Sequence, residues 1–202
     1  VASGEGGSTS ISGRDNISRA ATELFARHGN RAVGMRAIAD AVGIRGSSLY
    51  HHFPSKTELL YAIAHDYNRA FIEGQLADLS PNPTHAARVR KLVYDHIIYF
   101  HEHRLEEAVG LRELQELRTN APEHYTDIQT YRRSYQDAFE RLIVEGRANG
   151  EFECDDPHLA VLAVLGMVNS VNDWYRDRGR MSIVEVADAY ADITVNRILG
   201  AR

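Results

Sequence analysis

A chain of 202 residues with 44% hydrophobic and 25% charged side chains holds enough apolar material for one or two compact domains. Its longest strongly apolar run, Leu159 to Val168, is about half a membrane span, no apolar signal segment opens the chain, and the single cysteine, Cys154, excludes an intrachain disulfide, so a cytoplasmic protein with no membrane partner is expected. The net charge of -5 divides into +3 over residues 1 to 56, where seven basic side chains meet four acidic ones, and -8 over the rest, sixteen against twenty-four, so one end can meet phosphates while the other is repelled by them.

Residues 1 to 13 are mostly glycine and serine with almost nothing to bury, and a flexible arm is expected. From Arg14 the apolar positions Ile17, Ala20, Ala21, Leu24 and Phe25 follow a helical stripe that His28-Gly29 ends. Ile38, Ala39 and Val42 mark a short second helix, and Gly43 stands where the chain must leave it with a positive φ. After that turn Leu49 and Phe53, four apart, anchor a third short helix, while Arg45, Ser47, Ser48, Tyr50, His51 and His52 project elsewhere. A helix this short is not stable alone. The first helix must hold it, leaving its polar side for a partner. Residues 14 to 56 therefore read as a three-helix head built on a helix-turn-helix.

Ser55-Lys56-Thr57-Glu58 is a capping-box signature, after which Leu59, Leu60, Ile63, Tyr67, Ala70 and Phe71 run down one side of a long helix to about Asp78. Its positive N-terminal end and Lys56 together suggest a phosphate seat. Ser80-Pro81-Asn82-Pro83 breaks the chain, and helices are expected at 84 to 103, 106 to 118 and 122 to 149, the last opened by Pro122 and closed by Gly150. Asp156-Pro157 starts a helix whose Leu159 to Val168 segment is apolar around most of its circumference and needs cover on more than one side. Ser182-Ile183-Val184-Glu185 is a second capping box, opening a last helix with Ile183, Val186, Ala187, Tyr190 and Ile198. Two such end helices from two chains would form a four-helix seam, so a homodimer through them is expected. No β pattern or repeat occurs. The fold class is all-α, a helix-turn-helix head on a larger helical body over residues 57 to 202.

The run Met35 to Ala39, then Val42-Gly43-Ile44, then Ser48-Leu49-Tyr50-His51-His52-Phe53-Pro54-Ser55-Lys56 with Glu58-Leu59-Leu60 resembles the N-terminal domain of TetR-family transcriptional regulators over about residues 14 to 66. The remainder resembles that family in length and helical pattern. Two positions depart from it: Gly34 where a capping Ser or Thr is common, which weakens that helix start by a few tenths of a kcal/mol, and Arg45 where a capping Ser is common. The resemblance implies double-stranded operator DNA as a partner. It assigns the contacts to Arg36, Arg45, Ser47, Ser48, Tyr50, His51, His52 and Lys56, with Tyr50 on a sugar or thymine methyl and one histidine open to a purely structural role. It also implies a homodimer on a palindromic operator and a small-molecule effector bound in the body.

Of the ten histidines, His96, His101 and His103 look clustered, but at about 100° per residue His101 lies roughly 140° from His96 and His103 roughly 200° from His101, so no metal site follows. They read as scattered surface residues. No Gly-rich phosphate loop, nucleophile elbow or His-Glu-x-x-His segment is present, so neither an enzyme nor a cofactor is expected. The central helices mix large apolar bodies with hydrogen-bonding tips: Tyr67, Phe71, Tyr94, Ile97, Ile98, His101, Tyr131, Tyr135, Phe139 and Trp174 are candidate ligand contacts, and Arg112 with Glu113 is placed to orient a carboxylate or thioester. Each is also a candidate core or solvated residue. The region from Trp174 to Asp192 has some similarity to regulators of lipid or steroid breakdown, which suggests an acyl-CoA or a lipid or steroid derivative as effector. An activator or ligand-independent regulator would share the head and differ in the body; an enzyme or carrier is the remaining alternative.

Overall fold

The computed structural model describes residues 13 to 77 and 84 to 201, except for the side chains of 111 to 113. The expected N-terminal arm and the Ser80-Pro81-Asn82-Pro83 break lie outside the described residues. Every element among those described is helical: α1 (Gly13–His28), a 3-10 turn (Asn30–Ala32), α2 (Met35–Val42), α3 (Gly46–His52), α4 (Lys56–Ala77), α5 (His85–Glu102), α6 (Arg104–Asn120), α7 (Pro122–Ala148), α8 (Pro157–Asn169), the single turn α9 (Val171–Trp174) and α10 (Ile183–Asp192), which continues as a π-helical segment, Ile193–Ile198.

The head closes around Ile17, Phe25, Ile38, Leu49 and Phe53, all buried with the α4 residues Leu59 and Leu60 and with Val109 of α6. The turn between α2 and α3 forms as its glycine requires: Gly43 has φ 72°, its N–H returns to the end of α2, and Ile44 N–H reaches Ala39 O at 3.0 Å, a Schellman-type closure. Gly34 and Arg45, the N-caps of α2 and α3, supply no side-chain cap. Leu49 and Phe53 are the only large apolar side chains by which α3 is anchored, and each contributes about 1.5–3 kcal/mol by burial. The packing of the head runs past residue 56. The first two turns of α4 belong to its core, so α4 is shared by head and body.

The body core is built from the inner faces of α4, α5, α7, α8 and α10. His103 alone separates α5 from α6; its N–H bonds Tyr99 O and its carbonyl accepts Glu107 N–H, so the chain turns without losing backbone bonds and α6 starts two residues before the expected 106. At the start of α4, Ser55 Oγ accepts Glu58 N–H at 3.1 Å, but Glu58 Oε1 receives His124 Nε2 of α7 at 2.8 Å, so only half of the expected capping box is made. The box at Ser182 and Glu185 is complete in both directions, and those backbone and hydroxyl bonds hold the Glu185 carboxyl below its usual range. Helix α8 is two-sided: Ala160, Val161, Val164 and Val168 are buried within the chain, whereas Leu159 (61%) and Leu162 (45%) face outward. Val184 and Ile193 lie similarly exposed on the last helix.

Candidate nucleic-acid interface and internal cleft

With Leu49 turned inward, α3 presents Ser47, Ser48, Tyr50 and His51 to solvent, flanked by Arg45 and by Arg36 of α2, all exposed. These six are brought together on one convex face. His52 is half-buried, its carbonyl accepts Arg14 Nη1 at 3.4 Å, and the same guanidinium lies 4.4 Å over the Phe53 ring. It faces α1 and acts as the structural member of the histidine pair. Lys56 also departs from the expected phosphate seat: its Nζ donates to Asn30 O at 2.6 Å and Val33 O at 2.9 Å. Two of its three N–H groups thus brace the carbonyls of the 3-10 turn, because those carbonyls lack helical partners.

Between α4, α5, α7 and α8 lies a cleft of about 390 Å³ whose walls include Phe71, His96, Phe100, Arg132, Tyr135, Leu162, Leu165 and Asn169. It adjoins an inner chamber of about 50 Å³ lined by Tyr67, Asn68, Phe100, Glu107, Gly110, Leu114, Arg132 and Asn169. Of the expected ligand contacts, Tyr67, Phe71 and Tyr135 line these spaces. Ile97 and Phe139 are buried core behind them, and Tyr94 and Ile98 pack half-buried against that core. Tyr131 sits edge-on to His65 at 5.2 Å, outside the cleft. His101 lines a separate charged surface cleft, 3.6 Å from Asp177. Trp174 is 47% exposed and stacked on Tyr190 at 6.2 Å, away from the cleft lining. The Arg112 side chain lies outside the described residues.

The polar side chains that matter most here were missed in the sequence. His96, read there as a surface residue, is 2% exposed; Nε2 lies 3.0 Å from Asn169 Oδ1 and Nδ1 3.3 Å from the Tyr135 hydroxyl. Burial pulls its pKa down to about 3, so a neutral ring donates to the amide and accepts from the phenol. The signal was present: Leu92, His96 and Phe100 recur every fourth residue on the buried face of α5. Arg132 continues the Ile128 stripe of α7 by the same spacing. It is half-buried, makes no hydrogen bond among the described residues, and burial lowers its pKa against the pull of Tyr67, Tyr125 and Glu107. Glu107, buried on α6, has its carboxyl pushed up by burial while Asn172 Nδ2 donates to it and holds it partly down. Among the described residues no group of three His, Cys, Asp or Glu side chains is arranged to hold a metal.

A second polar joint fastens α4 to α7 just below the head. Tyr61 donates to Asp127 Oδ2 at 2.6 Å and stacks on His124 at 3.9 Å with the rings 9° apart. Burial, then the bond to Asp127, pushes the Tyr61 phenol up to about 12.

Two family profiles match the chain, one described as the tetracyclin repressor-like C-terminal domain over residues 82–198 and one as bacterial regulatory proteins of the tetR family over residues 17–63. The HTH-type transcriptional repressor KstR2 of Mycolicibacterium smegmatis is 27% identical over 194 residues, which cover 92% of this chain and 90% of that protein. A crystal structure of a tetR-family regulatory protein from Rhodococcus RHA1 superposes with TM-score 0.85 at 27% identity, covering 95% of this chain and 100% of that one. The structure of AibR in complex with isovaleryl coenzyme A and operator DNA, TM-score 0.78 and 24% identical over 90% of this chain and 97% of that one, shares the fold.

Proposed function

This chain belongs to the TetR family of transcriptional regulators, and from that premise we propose that it is a homodimeric repressor whose operator is released when a small amphipathic effector enters the cleft between α4 and α8. One observation carries the reading. Helix α4 places Leu59 and Leu60 in the core of the DNA-binding head and, two to three turns later, Tyr67, Asn68 and Phe71 in the walls of the cleft. A ligand that displaces this helix displaces the head. The convex face of Arg36, Arg45, Ser47, Ser48, Tyr50 and His51 is the operator surface, joined to a body that is open to ligand, which favours an effector-controlled regulator over a ligand-independent one.

For the effector class we infer an acyl-CoA. The cleft has apolar walls of Phe71, Phe100, Leu162 and Leu165 for an acyl chain and cationic Arg132 and Arg133 for an anionic head, and a protein of the same fold was solved holding a short acyl-CoA together with operator DNA. Such a regulator resides with its operator in the cytoplasm; no helix among the described residues is long and apolar enough to cross a membrane. The test selects an operator from a random duplex library and follows its binding to the purified dimer by fluorescence anisotropy while acyl-CoAs are added. A saturable release, mirrored by an equal weakening of acyl-CoA binding when operator is present, is the expected result. Acyl-CoAs that bind without changing operator affinity would exclude them as inducers.

A further inference from the structure

The Tyr67 hydroxyl is buried in a side chain only 8% exposed and has no hydrogen-bond partner among the described residues. Its ring lines the inner chamber, and the charges that act most on the hydroxyl include Glu107 and Arg132, which line the same chamber. A phenol held there stays protonated, because burial raises its pKa, and so it presents an O–H donor with nothing to receive it. A buried donor left unpaired is destabilising, and such groups persist at sites where a ligand completes them. The second donor is Arg132, whose half-buried guanidinium lines both the inner chamber and the outer cleft and makes no hydrogen bond among the described residues.

Resting on the effector-cleft reading above, we propose that the inner chamber recognises an uncharged oxygen, a ketone or hydroxyl, at the buried end of the effector, with Tyr67 Oη donating to it. The effector is therefore an oxygenated chain or ring and not a plain saturated acyl group. Charge sets the choice of a neutral oxygen over a carboxylate. Arg132 is already opposed by Glu107 across the chamber, so a carboxylate would bring a second negative charge into a space with little water to screen it. A hydrocarbon end fills the volume but leaves the Tyr67 donor unpaired. A ketone pairs it, and sites built to hydrogen-bond a polar group reject the analogue lacking that group far more strongly than apolar pockets reject an extra methylene.

The test uses the full-length dimer and three matched probes, as free acids and as CoA thioesters: decanoate, its analogue with a ketone beside the terminal methyl, and sebacate, which ends in a second carboxylate. Calorimetric titration of the wild type is expected to rank the keto compound about ten-fold or more above decanoate, with sebacate weakest. In Tyr67→Phe the preference for the ketone collapses while decanoate binds as before, and the ligand-free variant melts about 2 to 4 °C higher because an unpaired hydroxyl has been removed. Equal binding of the ketone and decanoate to the wild type, no binding of any probe, or a Tyr67→Phe protein that melts lower would overturn the proposal. The two readings fail separately. Thioesters that leave the operator bound, with the ketone preference intact among free acids, would remove the acyl-CoA; thioesters that release the operator with no ketone preference would remove the oxygen-recognising chamber.

Discussion

Asn30 Nδ2 donates to Glu116 Oε2 at 2.8 Å, tying the 3-10 turn after α1 to the C-terminal half of α6 across 86 residues of sequence. Lys56 grips the same turn from the other side through the Asn30 and Val33 carbonyls. The head is thus held to the body by α6 as well as by α4. Helix α6 also carries Glu107, Gly110 and Leu114 in the inner chamber, so a ligand there bears on a helix whose far end holds the head. We infer that the switch has two arms, α4 and α6, that move together.

Glu116→Ala should loosen the head locally. A hydrogen bond to a carboxylate, half-buried here, contributes about 1–2 kcal/mol. Hydrogen exchange in residues 30 to 42 is expected to quicken accordingly while α8 keeps its protection. Uniform quickening across both regions would mean that the pair supports global stability and not the attachment of the head.

Lys56 and Arg45 should separate brace from phosphate contact. Lys56→Met leaves two carbonyls of the turn without their donor and is expected to cost about 1–3 kcal/mol, lowering the thermal midpoint by several degrees without changing the salt dependence of operator binding. Arg45→Ala should leave the midpoint unchanged and, if Arg45 meets a phosphate, lower the slope of log affinity against log salt by about 0.9 per half-site. An Arg45→Ala slope equal to wild type, with affinity lost, would assign Arg45 to a base.

The head was legible because its constraints are local. Gly43 must take a positive φ, Leu49 and Phe53 are the only anchors α3 can offer, and these fix which side chains of α3 face outward. The cleft was only half legible. Tyr67, Phe71 and Tyr135 were found by their aromatic bodies, but burial of polar groups depends on which helices meet, and that is not written in any one of them. Thus His96 and Arg132 lie on buried stripes that an apolar pattern skips over. Lys56 misled for the same reason: a lysine at a helix start resembles a phosphate seat until Asn30 and Val33 are seen to present their carbonyls to it.

Acidification should act through His96. The unfolded chain titrates near 6.5 and the folded ring near 3, so between these values the unfolded state binds the extra proton. The contribution is whole above about pH 6.5 and is lost as pH falls toward 3, at about 1.4 kcal/mol per unit. Glu107, raised by burial, acts in the opposite sense, gaining stability as pH falls. Comparing wild type with His96→Gln isolates the histidine. Between pH 7 and 5, urea midpoints of the wild type should fall by the equivalent of about 1.5–2 kcal/mol more than those of the variant, and parallel curves would contradict a neutral buried ring.

The outward face of α8 supports the dimer seam, and its test depends on choosing the right side of the helix. Val164 is fully buried within the chain, so Val164→Glu places an unpaired charge in the chain's own core, costs several kcal/mol, and is expected to unfold the body whatever the oligomeric state. Leu159 and Leu162 point away from that core, and Val184 and Ile193 of the last helix are exposed in the same manner. Large apolar side chains left outward on two end helices need a cover, and a second copy presenting the same face supplies it symmetrically. Leu159→Glu and Leu162→Glu should therefore keep wild-type far-ultraviolet dichroism yet sediment as monomers at concentrations where the wild type is dimeric. Operator binding then follows from geometry. Two heads on one body span half-sites about 34 Å apart, so the monomers should bind a full palindrome no more tightly than a single half-site. Monomeric variants that still prefer the full palindrome would show that the heads pair on DNA without this seam, and intact dimers for both variants would place the seam elsewhere on the body.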